Sequence, residues 1–170
     1  MADFRLEPWD ERGLAFERRA NTPEMQADLG GVEPDSVLTA RHGRLLATKR
    51  DGEGEFLLIL IEGEPDPVGS VGYWGREWHG ETVYELAWKV LTGFQGRGLA
   101  VGATRAVLAR AAATGRCRWA HAYPSVANAA SNAVCARAGL ELQGEVPFEY
   151  PAGTWIRCND WRFDLDPTRP

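Results

Sequence analysis

The chain has 170 residues, and its 19 Lys and Arg against 24 Asp and Glu give a formal charge of −5 with neutral histidines. Apolar residues make up 44% and charged residues 25%, which excludes a disordered, collagen-like or coiled-coil chain. This length predicts one domain over residues 1–170. No stretch approaches the roughly 20 apolar residues that a membrane helix needs, so no membrane partner is expected. The acidic balance also argues against nucleic acid as a partner.

The cysteines are few and widely spaced: Cys117, Cys135 and Cys158, with no CxxC pair. This pattern predicts neither a disulfide framework nor a zinc site, and we expect no metal. The N-terminus lacks the basic and apolar segments of a secretory signal. A reducing cytoplasm is therefore the simplest compartment for the chain.

The N-terminal third of the sequence predicts mainly helices. Thr22 and Pro23 are typical of a helix N-cap and first turn, and two glycines favour a helix end at Gly30–Gly31. A strand is expected at Phe4–Glu7, followed by helices at Asp10–Ala20, from Thr22 to Gly30–Gly31, and from Pro34 to about Lys49.

Strand patterns dominate after a turn at Asp51–Gly54. Gly69 and Gly72 indicate either a bulge or a close approach of two backbones. A sheet followed by alternating strands and helices predicts a mixed α/β protein. Strands are expected at Glu55–Glu62, Val68–Trp74, Thr82–Leu91, Arg118–Tyr123, Leu140–Tyr150 and Thr154–Leu165, with helices at Gly98–Thr114 and Asn128–Ala138.

The segment Gln95–Ala100 is a glycine-rich loop that leads from a strand into a helix. Such a loop can turn its N–H groups inward, and the helix N-terminus adds partial positive charge, which suits a phosphate group. Gly96 and Gly98 permit the unusual dihedral angles that this requires. Glycine spacing alone favours an ordinary turn over a phosphate site. The loop is not a P-loop, because it lacks a Lys followed by Ser or Thr.

Two motifs in this order resemble a known family. The Gln-x-x-Gly-x-Ala pattern of Gln95–Ala100, placed after a strand, resembles the acyl-CoA-binding signature of the GCN5-related N-acetyltransferase (GNAT) superfamily. About thirty residues later, Asn128–Leu140 is similar to the family's Asn-x-x-Ser helix, which closes with a glycine. The segments Asn21–Met25 and Asn159–Trp161 resemble the branch of ribosomal-protein N-terminal acetyltransferases.

The resemblance implies a single-domain GNAT-type α/β (α+β) fold. Its mixed, mostly antiparallel sheet would be flanked by helices and would have splayed fourth and fifth strands, with the pantetheine arm of acetyl-CoA in the gap. The backbone of Lys89, Val90 and Leu91 would pair with the pantetheine amides, and Asn128 would bind pantetheine or cap its helix. The other implied cofactor-binding residues are Gln95, Gly96, Arg97, Gly98, Leu99, Ala100 and Ser131.

Direct attack of an amine on the thioester needs a base, an oxyanion donor and a stabilised leaving thiolate. Glu85 is the leading base, and the alternative is an exposed strand carboxylate paired with an arginine. His121 is the rival base, because an unperturbed histidine titrates near neutral pH, and its alternative is a structural histidine. Cys135 occupies a position where many relatives have tyrosine. It is either the acid for the thiolate or a small buried helix residue. The backbone N–H of Val90 or of a close neighbour is the expected oxyanion donor.

The implied acceptor is a primary amine on a small molecule or a protein N-terminus, in a cleft framed by Asn21–Lys49 and Phe148–Trp155. A homodimer is one expected assembly, because dimers are common in the superfamily. Two other hypotheses remain open. One is a non-catalytic acyl-CoA-binding or regulatory module on the same scaffold, and the other is a nucleotide-binding domain that uses the glycine loop for a different phosphate.

Overall fold

The computed structural model describes residues 3–166 and residue 168, without the side chains of residues 49–51. No helix among these residues is long and apolar enough to cross a membrane. The strands are β1 (Phe4–Pro8), β2 (Gly54–Ile61), β3 (Gly69–Trp78), β4 (Glu81–Val90), β5 (Trp119–Ala122), β6 (Glu141–Glu149) and β7 (Trp155–Asp164). The helices are α1 (Arg12–Ala20), α2 (Asp35–Asp51), α3 (Leu99–Ala113) and α4 (Ala129–Ala138), with a short 3-10 helix at Thr92–Phe94.

The strands form one sheet in the order β1-β2-β3-β4-β5-β7-β6. Its neighbours are antiparallel except for β4 and β5, which run parallel. The β4–β5 ladder joins Tyr84 to Ala120 and Glu85 to His121, whereas β4 continues to Val90. The two strands therefore diverge beyond Glu85, and the predicted fold class is confirmed.

Strand alternation gives β4 two different faces. Tyr84, Leu86 and Val90 join the larger core cluster, which includes residues of α3 and α4. Leu91, just after β4, lies in the second cluster with Phe16 of α1. The sheet thus separates a layer formed by α3 and α4 from a layer on the α1 side. Each large apolar side chain buried in these clusters contributes about 1.5–3 kcal/mol to folding.

The prediction of a helix from Thr22 to Gly30–Gly31 is wrong, because residues 22–31 form turns. Thr22 does cap the first of them, with its Oγ1 accepting a bond of 3.3 Å from the N–H of Met25. The Asn21 side chain, however, bonds both the N–H and the C=O of Glu33, at 2.9 and 2.8 Å. This contact ties the ends of the loop together. The chain then reverses at Gly30–Gly31, where both φ angles are positive, before a regular helix can form.

Gly69 and Gly72 of β3 lie where neighbouring backbones come close together, so the alternative prediction of a bulge is wrong. The β3–β4 register is regular throughout. A Cβ atom at Gly72 would lie 2.6 Å from the Glu55 carbonyl oxygen, and one at Gly69 would lie 2.7 Å from that of Lys89. A register shift does occur elsewhere, between β6 and β7 at Leu142–Gly144, where the sequence analysis did not predict one.

Candidate active site

The diverging strands open a gap lined by backbone groups of β4. The N–H of Leu91 donates to the Val68 carbonyl at 2.9 Å, so Leu91 faces β3. Antiparallel pairing alternates in direction, which turns the N–H and C=O of Val90 toward the gap. The side-chain amide of Gln95 donates to that Val90 carbonyl at 2.9 Å. Lys89, Val90 and Leu91 were expected to pair with the pantetheine amides through their backbone groups. Those of Val90 face the gap. The N–H of Leu91 is bonded to Val68, and Lys89 lies opposite Ser70 of β3.

The glycine loop lies at the open end of this gap and leads into α3. Gly96 and Gly98 have φ angles of 74° and 80°, and α3 begins at Leu99. The first N–H groups of a helix have no partner within it, so they remain available to an anion. Arg97 donates to the Gly93 carbonyl at 2.9 Å, beside the ring of Phe94. Leu99 is buried, whereas Ala100 is half-buried. The loop and helix start can hold a pyrophosphate through backbone N–H groups.

The second motif forms α4 with both predicted caps. The side chain of Asn128 accepts a bond of 2.9 Å from the N–H of Ser131. At the other end, Gly139 has a φ of 100°, and the N–H of Leu140 donates back to the Cys135 carbonyl. The caps set where α4 starts and stops.

Cys135 lies inside the core next to this end of α4. Its side chain has 0% exposure, and burial raises the pKa of the thiol to about 12. A thiol with these properties has no surface to offer a ligand and stays protonated. The geometry therefore favours the small buried helix residue over the acid.

Glu85 lies at the closed end of the gap, where β4 and β5 make their last pair. It is 9% exposed, and Nη1 of Arg76 donates to its Oε2 at 2.7 Å. Burial raises the pKa of Glu85 above its ordinary value, while the hydrogen bond and charge of Arg76 oppose that rise. Glu85 thus has the arginine partner of the alternative hypothesis, but it is buried rather than exposed.

Three aromatic rings surround the Arg76 guanidinium. Its central carbon lies 4.5 Å from the ring centre of Phe148 and 5.4 Å from those of Trp78 and Tyr123. We call these three rings the aromatic cage. Arg76 was not among the predicted site residues, because the strand was expected to end at Trp74. In the structure β3 continues to Trp78. The alternation of Trp74, Arg76 and Trp78 on one strand face was the available signal.

His121 is held by a carboxylate on β7. Its Nδ1 lies 2.6 Å from Oδ1 of Asp160, and the indole N–H of Trp78 donates to Oδ2 at 3.2 Å. His121 and Asp160 are both buried. Burial raises the pKa of Tyr123 well above its ordinary value, and the charges of Asp160 and Glu85 add to the effect. Tyr123 therefore remains a protonated phenol beside the two candidate bases.

The two segments expected to frame the acceptor cleft meet at Arg41 of α2. Its guanidinium donates to Glu33 at 2.6 Å and lies 3.5 Å from the Tyr150 hydroxyl. It also donates to Glu17 at 2.7 Å, and Glu17 accepts a second bond, of 2.8 Å, from Lys89. Burial acts to raise the pKa of Glu17, but Lys89 and Arg41 outweigh it and hold the pKa below its ordinary value. Through Lys89, Glu17 and Arg41, this network links β4 to both segments that were expected to frame the acceptor cleft.

No group of three or more His, Cys, Asp or Glu side chains within residues 3–166 and 168 could hold a metal ion. Backbone N–H groups of the loop and of the start of α3 lie at one end of the gap. Glu85 and the pair of His121 and Asp160 lie at the other end.

The fold is similar to solved structures of low sequence identity, and no curated protein matches the chain. One is an acetyltransferase from Salmonella typhimurium that modifies the N-terminal serine of a 50S ribosomal subunit protein, with 20% identity, a TM-score of 0.79 and 96% of each chain covered. Another is an aminoglycoside acetyltransferase in complex with coenzyme A, with 18% identity, a TM-score of 0.75 and 95% of each chain covered.

A third is a putative acetyltransferase from Salmonella typhimurium with its cofactor acetyl-CoA, at 18% identity, a TM-score of 0.77, and 98% and 96% coverage. The sequence profile of the acetyltransferase (GNAT) domain matches residues 4–141, which is most of the chain. The predicted resemblance to the GNAT superfamily is confirmed, and the fold is similar to that of a ribosomal-protein acetyltransferase. The chain belongs to the acetyltransferase (GNAT) domain family and is an N-acetyltransferase.

Proposed function

We propose that this enzyme transfers an acetyl group from acetyl-CoA to a primary amine by direct attack on the thioester. One observation carries the proposal. The glycine-rich loop Gln95–Ala100 and the buried carboxylate of Glu85 lie at opposite ends of one gap along β4. From Glu85 to Val90 the strand spans about 17 Å. This length allows one extended molecule to reach from the loop toward Glu85.

The loop and β4 residues would hold the donor. N–H groups of Gln95–Ala100 bind the pyrophosphate, Arg97 adds a charge-assisted contact, and Asn128 and Ser131 at the start of α4 contact the pantetheine arm. The backbone of Lys89–Leu91 lies along the arm. The gap-facing N–H of Val90 is the group best directed to stabilise the oxyanion that forms on the thioester carbonyl.

Glu85 would take the proton of the acceptor amine, directly or through a water molecule. Its raised pKa brings this carboxylate closer to neutral pH, where a general base is most effective. His121 is the second candidate for this proton, because its ring is oriented by the 2.6 Å contact of Nδ1 with Oδ1 of Asp160. The coenzyme A thiolate leaves without an enzyme thiol as donor, since Cys135 is enclosed in the core.

The proposed acceptor is an amine on a protein N-terminus or on a small molecule. Two of the solved relatives support this range, since one modifies an N-terminal serine and another is an aminoglycoside acetyltransferase. The proposal retains the reducing cytoplasm expected from the sequence, which the free cysteines Cys117, Cys135 and Cys158 suit. It also retains a homodimer as an expected assembly.

The test measures release of free coenzyme A thiol from acetyl-CoA with a panel of amines. The panel contains a serine-starting peptide, an aminoglycoside and a polyamine. We expect turnover with at least one of them, and Glu85→Gln should lower kcat by about 10²-fold or more with little change in acetyl-CoA affinity. Wild-type rates for Glu85→Gln from pH 6 to 9 would exclude Glu85 as the base. Acetyl-CoA binding without turnover on any amine would support the non-catalytic module instead.

A further inference from the structure

We propose that Arg76 is a positioning residue that fixes the Glu85 carboxylate at the closed end of the gap, and that the aromatic cage exists to hold its guanidinium there. The inference rests on the proposed function of Glu85 as the base and deepens it. It assigns a role to Arg76, Trp78 and Phe148, which the sequence analysis did not select.

The first argument is geometric. Arg76 donates to one carboxylate oxygen of Glu85 at 2.7 Å. The cage rings also contact one another, because Tyr123 stacks on Phe148 at 4.9 Å and lies 4.7 Å from Trp78. A guanidinium held against three packed rings loses most of its rotamer freedom. Its direction toward Glu85 is therefore set by the fold.

The cage is assembled from three parts of the chain. Trp78 belongs to the end of β3, Tyr123 follows β5, and Phe148 belongs to β6. A surface ion pair would need none of these contacts and would contribute little. Rings from three separate segments therefore hold the guanidinium of Arg76 in one place beside Glu85.

The second argument is electrostatic. A carboxylate that is nine-tenths buried favours its neutral form, and a neutral Glu85 cannot accept a proton. Arg76 opposes this effect through its hydrogen bond and its positive charge. The same cation disfavours the ammonium form of an acceptor beside Glu85. It thereby favours the neutral amine, which is the form that attacks.

Other titratable groups lie around Glu85. Glu85 pairs with His121 across the β4–β5 ladder, and its charge acts on residues of β7 and the segment after β5. A change at Arg76 must therefore be compared with a change that leaves these neighbours in place. The titratable and charged side chains that face Glu85 are Arg76 from β3, His121 and Tyr123 from β5 and the segment after it, and Cys158 and Asp160 from β7.

The test compares Arg76→Met and Arg76→Lys with the matched control Arg118→Met. Arg118 pairs with Asp164 at 3.3 Å and lies 4.7 Å from the Trp119 ring centre, so it also combines an ion pair with a ring contact, away from Glu85. Thermal unfolding checks that each variant is folded. The pH profile of kcat/KM for the amine acceptor, and the KM for acetyl-CoA, are then measured.

We expect Arg76→Met to lower kcat by about 10²-fold, as loss of a positioned general base does, and to move the acidic limb of the profile to higher pH. The limb moves up because the buried carboxylate loses its cation. Guanidinium ion at tens of millimolar should restore part of the rate and return the limb toward the wild-type position. Arg76→Lys keeps the charge but loses the planar fork, so its limb should stay near wild type while kcat falls. Arg118→Met should leave the profile unchanged.

A folded Arg76→Met with the wild-type acidic limb would overturn the inference, even where Glu85→Gln is inactive. If Arg76→Met does not fold, Arg76→Lys decides, because wild-type kcat in that variant would contradict a positioning role. A different result, wild-type rates in Glu85→Gln, would show that the proposed base is wrong. The two failures are therefore distinguishable.

Discussion

The Cys135 side chain has no exposed surface, and this sets what its substitution can do. Cys135→Ala removes one sulfur atom from the core and leaves a small cavity, which should cost about 1 kcal/mol of unfolding free energy. Because the burial-raised pKa of about 12 gives the thiol no acid role in our proposal, kcat should remain within about twofold of wild type.

Urea unfolding and steady-state kinetics on the same preparation measure these two quantities for Cys135→Ala. A tenfold or larger fall in kcat, with the free energy of unfolding nearly unchanged, would contradict the packing role. The acid hypothesis, which the sequence raised because many relatives have tyrosine at this position, would then be restored.

Residues of the candidate site differ in how far a sequence can reveal them. Glu85 and His121 are titratable residues on predicted strands, so they were identified. Arg76 and Asp160 became visible only through their partners, at 2.7 Å from Glu85 and 2.6 Å from His121. The contact between Arg76 and Glu85 joins the two strands of one hairpin, nine residues apart, so the alternation of Trp74, Arg76 and Trp78 was a local signal for it. The contact between His121 and Asp160 joins residues 39 apart, and local pattern carries no record of it.

At the scale of the elements, the glycine loop offers the sharpest test of the cofactor site. Gly98 has a φ of 80°, and a Cβ atom there would meet nothing within 4 Å. Gly98→Ala therefore adds only backbone strain, of about 1–2 kcal/mol. Gly98→Glu adds the same strain and places a negative charge beside the proposed pyrophosphate site.

We expect Gly98→Glu to abolish measurable acetyl-CoA binding while the protein stays folded, and Gly98→Ala to retain most of the affinity. Isothermal titration of both variants with acetyl-CoA, together with circular dichroism, makes the comparison. Equal affinity in Gly98→Glu and wild type would remove the loop from the cofactor site. Equal loss in both variants would mean that loop strain, rather than charge, controls binding.

Most elements could be placed from sequence because their signals are local. Caps and periodicity placed α4 at Asn128–Ala138 and the structure has it at Ala129–Ala138. Two errors have non-local causes. The turns after Thr22 depend on the contact between Asn21 and Glu33. The extension of β3 from the predicted end at Trp74 to Trp78 depends on its pairing with β4.

Across the whole molecule, the two substrates would approach β4 from different sides. In our proposal, the loop and the α3–α4 layer hold the donor, whereas α1, α2 and the β6–β7 turn frame the acceptor. Lys89 connects the two sides, because it belongs to β4 and its side chain donates to Glu17 of α1. Cofactor binding should thus stabilise the sheet that both layers share.

The last prediction measures that stabilisation. A ligand present at 100 times its dissociation constant adds about 2.7 kcal/mol to the unfolding free energy. For a domain of this size, acetyl-CoA should therefore raise the unfolding midpoint by roughly 5–11 °C. ATP and NAD are the controls, because they offer phosphate groups to the same loop but have no pantetheine arm to place along β4. A shift specific to acetyl-CoA would mean that binding needs the pantetheine arm as well as the phosphate groups. An equal shift with ATP would favour the nucleotide-binding hypothesis, and no shift with any ligand would contradict the assignment of Gln95–Ala100.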